Sequence, residues 1–236
     1  MITPELERAI KLHARAKYPE EMCGIIHTGE FIAADNKHPN PLDHFRMDPE
    51  YLENAEAIVH SHTFADANSV VDMRTPSQDD IRSQLDTDVP WYIVGVTKVG
   101  VSPPLNITPN LNESLWGRSF VHCVTDCWQL ARSYYWQKHG IEMMDVVRGY
   151  TWWDEQNPVS LIDTHYKEFG FERVTEPREG DAIILKVLSK VNNHVGIFTA
   201  DGKILHHMVN RLSGEEQFEG KWKKYATMYL RHKDIK

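Results

Sequence analysis

The chain has 236 residues and a hydrophobic fraction of 41%, enough for one large core or two small ones, and two compact domains are expected. Lys and Arg number 26 against 34 Asp and Glu; the resulting net charge of -8 offers no basic footprint for a phosphate backbone and excludes nucleic acid as an expected partner. Met1 to Leu6 lack the basic and then apolar run of a signal peptide, and no apolar stretch is long enough to be a membrane-spanning segment, so a cytoplasmic start is expected. Cys23, Cys123 and Cys127 are an odd set in different contexts, which argues against a disulfide framework and for at least one free thiol.

Glu5 to Lys17 places Leu6, Ala9, Ile10 and residues 12–16 at helical spacing behind Pro4, and Pro19 ends the helix. Cys23–Ile26, Glu56–Val59 and Trp91–Val96 are short apolar runs bounded by turn residues and read as buried strands. Val99 to Asn112 holds several prolines and no period, the composition of a linker, so the domains are expected at 1–108 and 109–236. Asp126 to His139 sets Cys127, Leu130, Ala131, Tyr134 and Tyr135 on one helical face. Ala182–Leu188, Val195–Thr199 and Lys203–His207 follow as strands separated by Asn192-Asn193 and Asp201-Gly202 turns, a helix followed by an antiparallel meander. The fold class expected for the whole chain is α+β.

Cys127 follows Asp126 at a helix N-terminus, where free backbone N–H groups and the macrodipole favour a thiolate. As a nucleophile it needs an imidazole base, and the base needs a polar group to fix its tautomer. His194 opens one strand and His206 closes the next, so a hairpin brings the two rings side by side. Cys123, one helical turn before Cys127, reads as a packing residue, and His207 points to the other strand face. Asp126-Cys127-Trp128, Glu179-Gly180-Asp181-Ala182-Ile183 and Asn193-His194-Val195-Gly196-Ile197-Phe198, ending at His206, resemble the ordered signature of the NlpC/P60 superfamily of cell-wall peptidases over residues 115–232. The resemblance implies a papain-like α+β domain with Cys127 as nucleophile, His194 as base and His206 as the residue that orients it. The family generally has Ser-Gly after the cysteine, where this chain has Trp128-Gln129.

In the first half, His60-Ser61-His62 presents two imidazoles on one strand face, a compact way to offer two nitrogen ligands to one metal. A catalytic site needs a further ligand, and the acids of Thr75–Asp80 are within chain reach; Glu21, just ahead of the first strand, is placed to take a proton from a bound water. Glu21-Met22-Cys23-Gly24 with His60, His62, Ser77 and Asp80 resembles the JAB/MPN metallopeptidase motif over residues 1–100. The resemblance implies an α/β domain that holds zinc through His60, His62 and Asp80, with Glu21 as acid/base and Ser77 at the oxyanion. Thr63 stands where the family usually has proline, and a longer loop offers Ser69-Val70-Val71-Asp72 as a second Ser-x-x-Asp, with Asp72 the runner-up ligand.

A JAB/MPN-like domain followed by an NlpC/P60-like domain resembles the tail assembly proteins of lambda-like siphophages over nearly the whole chain. That resemblance implies a peptidase of the tail tip, assembled in the host cytoplasm and carried in the virion. Its zinc-dependent half would cut peptide or isopeptide bonds and its thiol half peptidoglycan stem peptides; the expected partners are those peptides and other tail-tip proteins. The alternatives are a structural tail-tip component with one or both sites inactive, and a cellular wall-remodelling peptidase, against which the missing signal peptide argues.

Overall fold

A computed structural model describes residues 2–64, 73–87 and 89–235, and the chain divides into two compact units, Met1–Thr108 and Pro109–Lys236. In the first unit, α1 (Pro4–Lys17) starts where the Thr3 hydroxyl accepts the Leu6 amide at 3.2 Å and proline takes the first turn. Leu6, Ile10 and Ala14, spaced by four, bury one helical stripe against Met22, just ahead of the sheet, and Ile26, Val59, Val94 and Val96 within it. The chain continues through β1 (Cys23–His27), β2 (Glu30–Ala34), β3 (Ala57–Thr63), α2 (Gln78–Asp86), β4 (Trp91–Val96) and β5 (Leu105–Asn106). The sheet order is β2-β1-β3-β4-β5, with only β3 and β4 parallel and α2 on the crossover between them.

The sequence reading omits β2 and β5. Most of β2 is exposed, which erases the apolar signal of a strand, and β5 is two residues long. A two-residue turn builds the β1–β2 hairpin, with Thr28 at φ 50° and Gly29 at φ 77°. The expected linker is also largely structured. Val101 bridges to Val96, β5 pairs with β4, and Gln137 donates to the carbonyls of Leu111 and Glu113, so Val99–Asn112 is divided between the two units.

The second unit contains α3 (Cys127–His139), α4 (Leu161–His165), β6 (Phe171–Val174), β7 (Ala182–Leu185), β8 (His194–Thr199), β9 (Lys203–His206), β10 (Gly214–Gln217), α5 (Gly220–Tyr225) and β11 (Ala226–His232). Its sheet is antiparallel throughout, in the order β10-β9-β8-β7-β11-β6. Leu130, Ala131 and Tyr135 of α3 pack with Ile184, Val195, Ile197 and Leu205 on one sheet face, while Ile183, Leu185 and Ile204 meet Trp222 on the other. A sheet covered on both faces explains why β7 is apolar at every position.

Cys123 is not a turn of α3, as the spacing suggested. It lies ahead of the helix at φ 64°, where its amide donates to the Asp126 carboxylate at 2.9 Å. The expected strand ends at 188 and 207 shorten to Leu185 and His206.

Candidate functional site

The thiol site grows from the start of α3. One oxygen of Asp126 accepts the amides of Trp128 and Gln129, both at 3.1 Å, so the cap fixes Cys127 at the first helical position. The other oxygen takes the Arg148 guanidinium at 2.6 and 3.1 Å. Burial alone would raise this carboxyl, but Arg148 outweighs it and holds Asp126 down to about 2. Arg148 and Arg132 both pair with Asp145, and the Gln129 amide donates to the same carboxylate, which closes a buried ionic network beneath the nucleophile. His122 and Cys123 flank Asp126, but the guanidinium already neutralises it, so this trio is an ion-pair environment rather than a metal site. The sequence reading missed Arg148 and Asp145, which sit in a stretch without helical or strand period.

His194 and His206 come together as their strands predict. Gly196 of β8 lies opposite His206 of β9, which puts His194 on the same face one diagonal step away. His194 Nε2 stands 3.1 Å from His206 Nδ1, and His206 Nε2 stands 3.3 Å from Glu216 Oε1. The glycine makes this possible: a Cβ at position 196 would lie 2.5 Å from Ile204 Cδ1 and 3.2 Å from His206 Cβ.

Burial works against the expected thiolate. Burial pushes the Cys127 thiol up to about 12; the neighbouring Asp126 charge raises it further, and the backbone at Val195 and Trp128 and the Arg148 charge offset this only in part. Burial, with His206 and His207 adding to it, holds His194 well below the usual histidine value. The pair at rest is therefore a neutral thiol and a neutral imidazole, facing the same cavity of about 320 Å³. Phe120, Trp152, Trp153 and Phe169 supply apolar walls to that cavity. His207 is buried outside the relay and bonded to the carbonyls of Thr125 and Arg211.

In the first unit, the alternation of β3 turns His60 and His62 to one side, while Ser61 on the other accepts the Met22 amide at 2.8 Å. His60 Nε2 and His62 Nε2 are 3.2 Å apart, and Asp80 places one carboxylate oxygen 3.1 Å from each. Asp80 reaches them from the first turn of α2, whose capping box it forms with Ser77. The two Nε2 atoms and an Asp80 oxygen all lie within 4.8 Å of one another, so the set could hold a divalent metal. Burial opposes the charge on Asp80, but the two imidazoles outweigh it and keep the carboxyl well below the usual range. Phe45, stacked on His60 at 4.5 Å, and Trp91, edge-on at 5.8 Å, fix a ring whose buried Nδ1 has no hydrogen-bond partner among the described residues.

Glu21 is buried beside this cluster, and desolvation, partly offset by His62, raises it to about 8. The Ser77 hydroxyl donates to Asp80 at 2.8 Å and accepts the Asp80 amide at 3.1 Å, so it caps α2 and holds the carboxylate. Ser69 and Asp72, the alternative motif, lie outside the described residues. Thr63, at the expected proline position, donates to the Leu42 carbonyl at 3.1 Å.

The model of the NlpC/P60 family matches residues 113–231. The chain belongs to the NlpC/P60 family. It is 33% identical over 240 residues to the tail tip assembly protein K of Escherichia phage N15, covering 97% of this chain and 94% of the relative. It is 32% identical over 195 residues to the protein of the same name from Escherichia phage lambda, covering 79% and 89% respectively. Among solved structures, an NlpC/P60 family protein from Bacillus cereus matches 94% of this chain and 66% of its own at 12% identity and a TM-score of 0.36.

Within this NlpC/P60 domain, Trp128 and Gln129 each have a structural explanation. Trp128 packs on Phe169 with ring centroids 4.7 Å apart, and Gln129 joins the buried network through the Cys123 carbonyl, Asp145 and Arg132.

Proposed function

We propose that this chain is a phage tail-tip assembly protein whose second unit hydrolyses peptidoglycan stem peptides through Cys127, His194 and His206. The observation that carries the reading is the 3.1 Å approach of His194 Nε2 to His206 Nδ1, which leaves the remaining nitrogen of His194 for the thiol lining the same cavity. The Cys127 proton passes to His194 as sulfur attacks the amide carbonyl. The Asp126 cap takes the amides of Trp128 and Gln129, so the Cys127 amide is the first-turn donor assigned to the oxyanion. His194 then protonates the leaving amine, and water releases the acid from the acyl-enzyme. Similarity over almost the whole length of two phage tail tip proteins supports the tail setting, with other tail proteins as partners.

The first unit is proposed to be a JAB/MPN-like peptidase that binds zinc through His60, His62 and Asp80. When bound, zinc would supply an acidified water. Glu21, buried beside the cluster, is the group assigned to take a proton from that water and deliver it to a leaving amine. Ser77 holds Asp80 in position.

Digestion of purified peptidoglycan by the wild-type protein, Cys127→Ala and His60→Ala/His62→Ala tests both halves, with zinc measured in each sample. Muropeptides should disappear with Cys127→Ala alone, and zinc should disappear with the histidine pair alone. Folded wild-type protein that neither cuts peptidoglycan nor holds zinc would replace this reading with a structural role in the tail tip.

A further inference from the structure

We propose that Glu216 is a positioning residue of the thiol site: its carboxylate fixes the tautomer of His206, through it that of His194, and supports the His194 imidazolium. The proposal rests on the cysteine-peptidase reading above. Glu216 sits on β10, the edge strand paired with the strand that carries His206. Alternation along β10 turns Glu215 to Lys203, at 3.7 Å, and Glu216 to the face of the imidazoles. Its second oxygen accepts the Trp222 indole N–H at 2.9 Å, and Arg211 approaches the first at 3.2 Å.

The wiring follows from what each group can donate. An ionised carboxylate only accepts, so the contact with Glu216 requires His206 to carry its proton on Nε2. His206 Nδ1 is then a lone pair, and the contact with His194 requires that ring to carry its proton on Nε2 as well. The one form left for His194 Nδ1 is a bare lone pair, the form that can accept a thiol proton. Reversing the tautomer of His206 would reverse that of His194 and remove the base.

During attack the proton moves from Cys127 Sγ to His194 Nδ1 while its electron pair remains on sulfur. His206 and Glu216 keep their protonation states and stabilise the cation through two aligned N–H donors. Among the described residues, the charged and titratable groups acting on His206 include Glu216 on β10, Arg211 in the preceding loop and Lys221 on α5, and those acting on His194 include His206, His207 and Asp126. Glu216 is the anion in contact with His206. Its carboxyl is opposed by burial, but the Trp222 and His206 contacts outweigh this and keep it below the ordinary value.

The test is alkylation of Cys127 by iodoacetamide, read by peptide mass spectrometry, in full-length wild type, Glu216→Gln, Glu216→Asp and His194→Ala across pH. Glu216→Gln should slow alkylation at neutral pH by about 10²-fold, the scale of a lost general base, and should flatten the pH profile as His194→Ala does. Glu216→Asp should recover part of the rate. Imidazole ¹⁵N shifts of the unmodified protein give an independent readout, with Nε2–H expected on both rings. Wild-type rate and pH profile in Glu216→Gln, alongside a slowed His194→Ala, would overturn the role of Glu216 while leaving the thiol site intact. An Nδ1–H tautomer on either ring would overturn it without any variant. An unaffected His194→Ala would remove the base itself, and the peptidase reading with it.

Discussion

At Cys127, desolvation is the largest influence on the thiol, and this sets how the site should respond to pH. With the thiol near 12 and the imidazole well below its usual 6.5, the reactive form is the neutral pair. Acid therefore stops the reaction only when His194 itself is protonated, so peptidoglycan cleavage should persist below pH 6.5 and fall at the depressed histidine value. A rate-versus-pH profile that lost its acid limb at 6.5 or above would contradict this burial argument. Stability has the same direction. Below 6.5 the unfolded chain binds a proton at position 194 that the folded chain does not, so this residue destabilises the fold as pH drops. Gly196→Ala should reduce cleavage far more than it reduces the melting temperature, because the new methyl group meets Ile204 and displaces His206; comparing turnover with thermal denaturation checks it. Cys127, His194 and His206 were legible because each marks the end of a patterned element. Glu216 was not, since Gly214–Gln217 is a polar edge strand without apolar alternation, and only pairing with β9 turns it toward His206.

At the scale of elements, α3 depends on an ion pair as well as on its apolar face. Asp126 is at once the cap of α3, the acceptor of the Cys123 amide and the partner of buried Arg148. Asp126→Ala should lose about 3–5 kcal/mol in urea denaturation, because it leaves a buried guanidinium without that partner. Asp126→Ala/Arg148→Ala should lose less than the sum of the single variants, the sign of a coupled pair. The helices α1 and α3 and the strands β1, β3, β4, β7, β8 and β9 were readable from sequence, where capping and core patterning agree; α4 and α5, five and six residues long, were not. The strands β2, β5, β6 and β10 were not, because exposure or brevity hides their period. β11 carries a readable alternation, with Met228, Leu230 and His232 buried in turn, which the sequence reading passed over.

For the whole molecule, the division into two units makes the thiol site and the His60, His62 and Asp80 cluster separately addressable. Excess zinc should raise the thermal unfolding temperature of the wild type and leave that of His60→Ala/His62→Ala unchanged, because a ligand stabilises only the fold that binds it. Calorimetry with and without the metal decides this, and an equal shift in both proteins would place the metal elsewhere. The hydrophobic clusters follow the same division: one draws on Leu6 to Val96 and its flanking residues, another on Leu115 to Leu230. The joint between Thr108 and Pro109 interrupts no strand, helix or candidate site. In genetic terms, a crossover between those two codons would deliver each half as an intact cassette, so related genomes could exchange one unit, or let one decay, while selection preserved its neighbour.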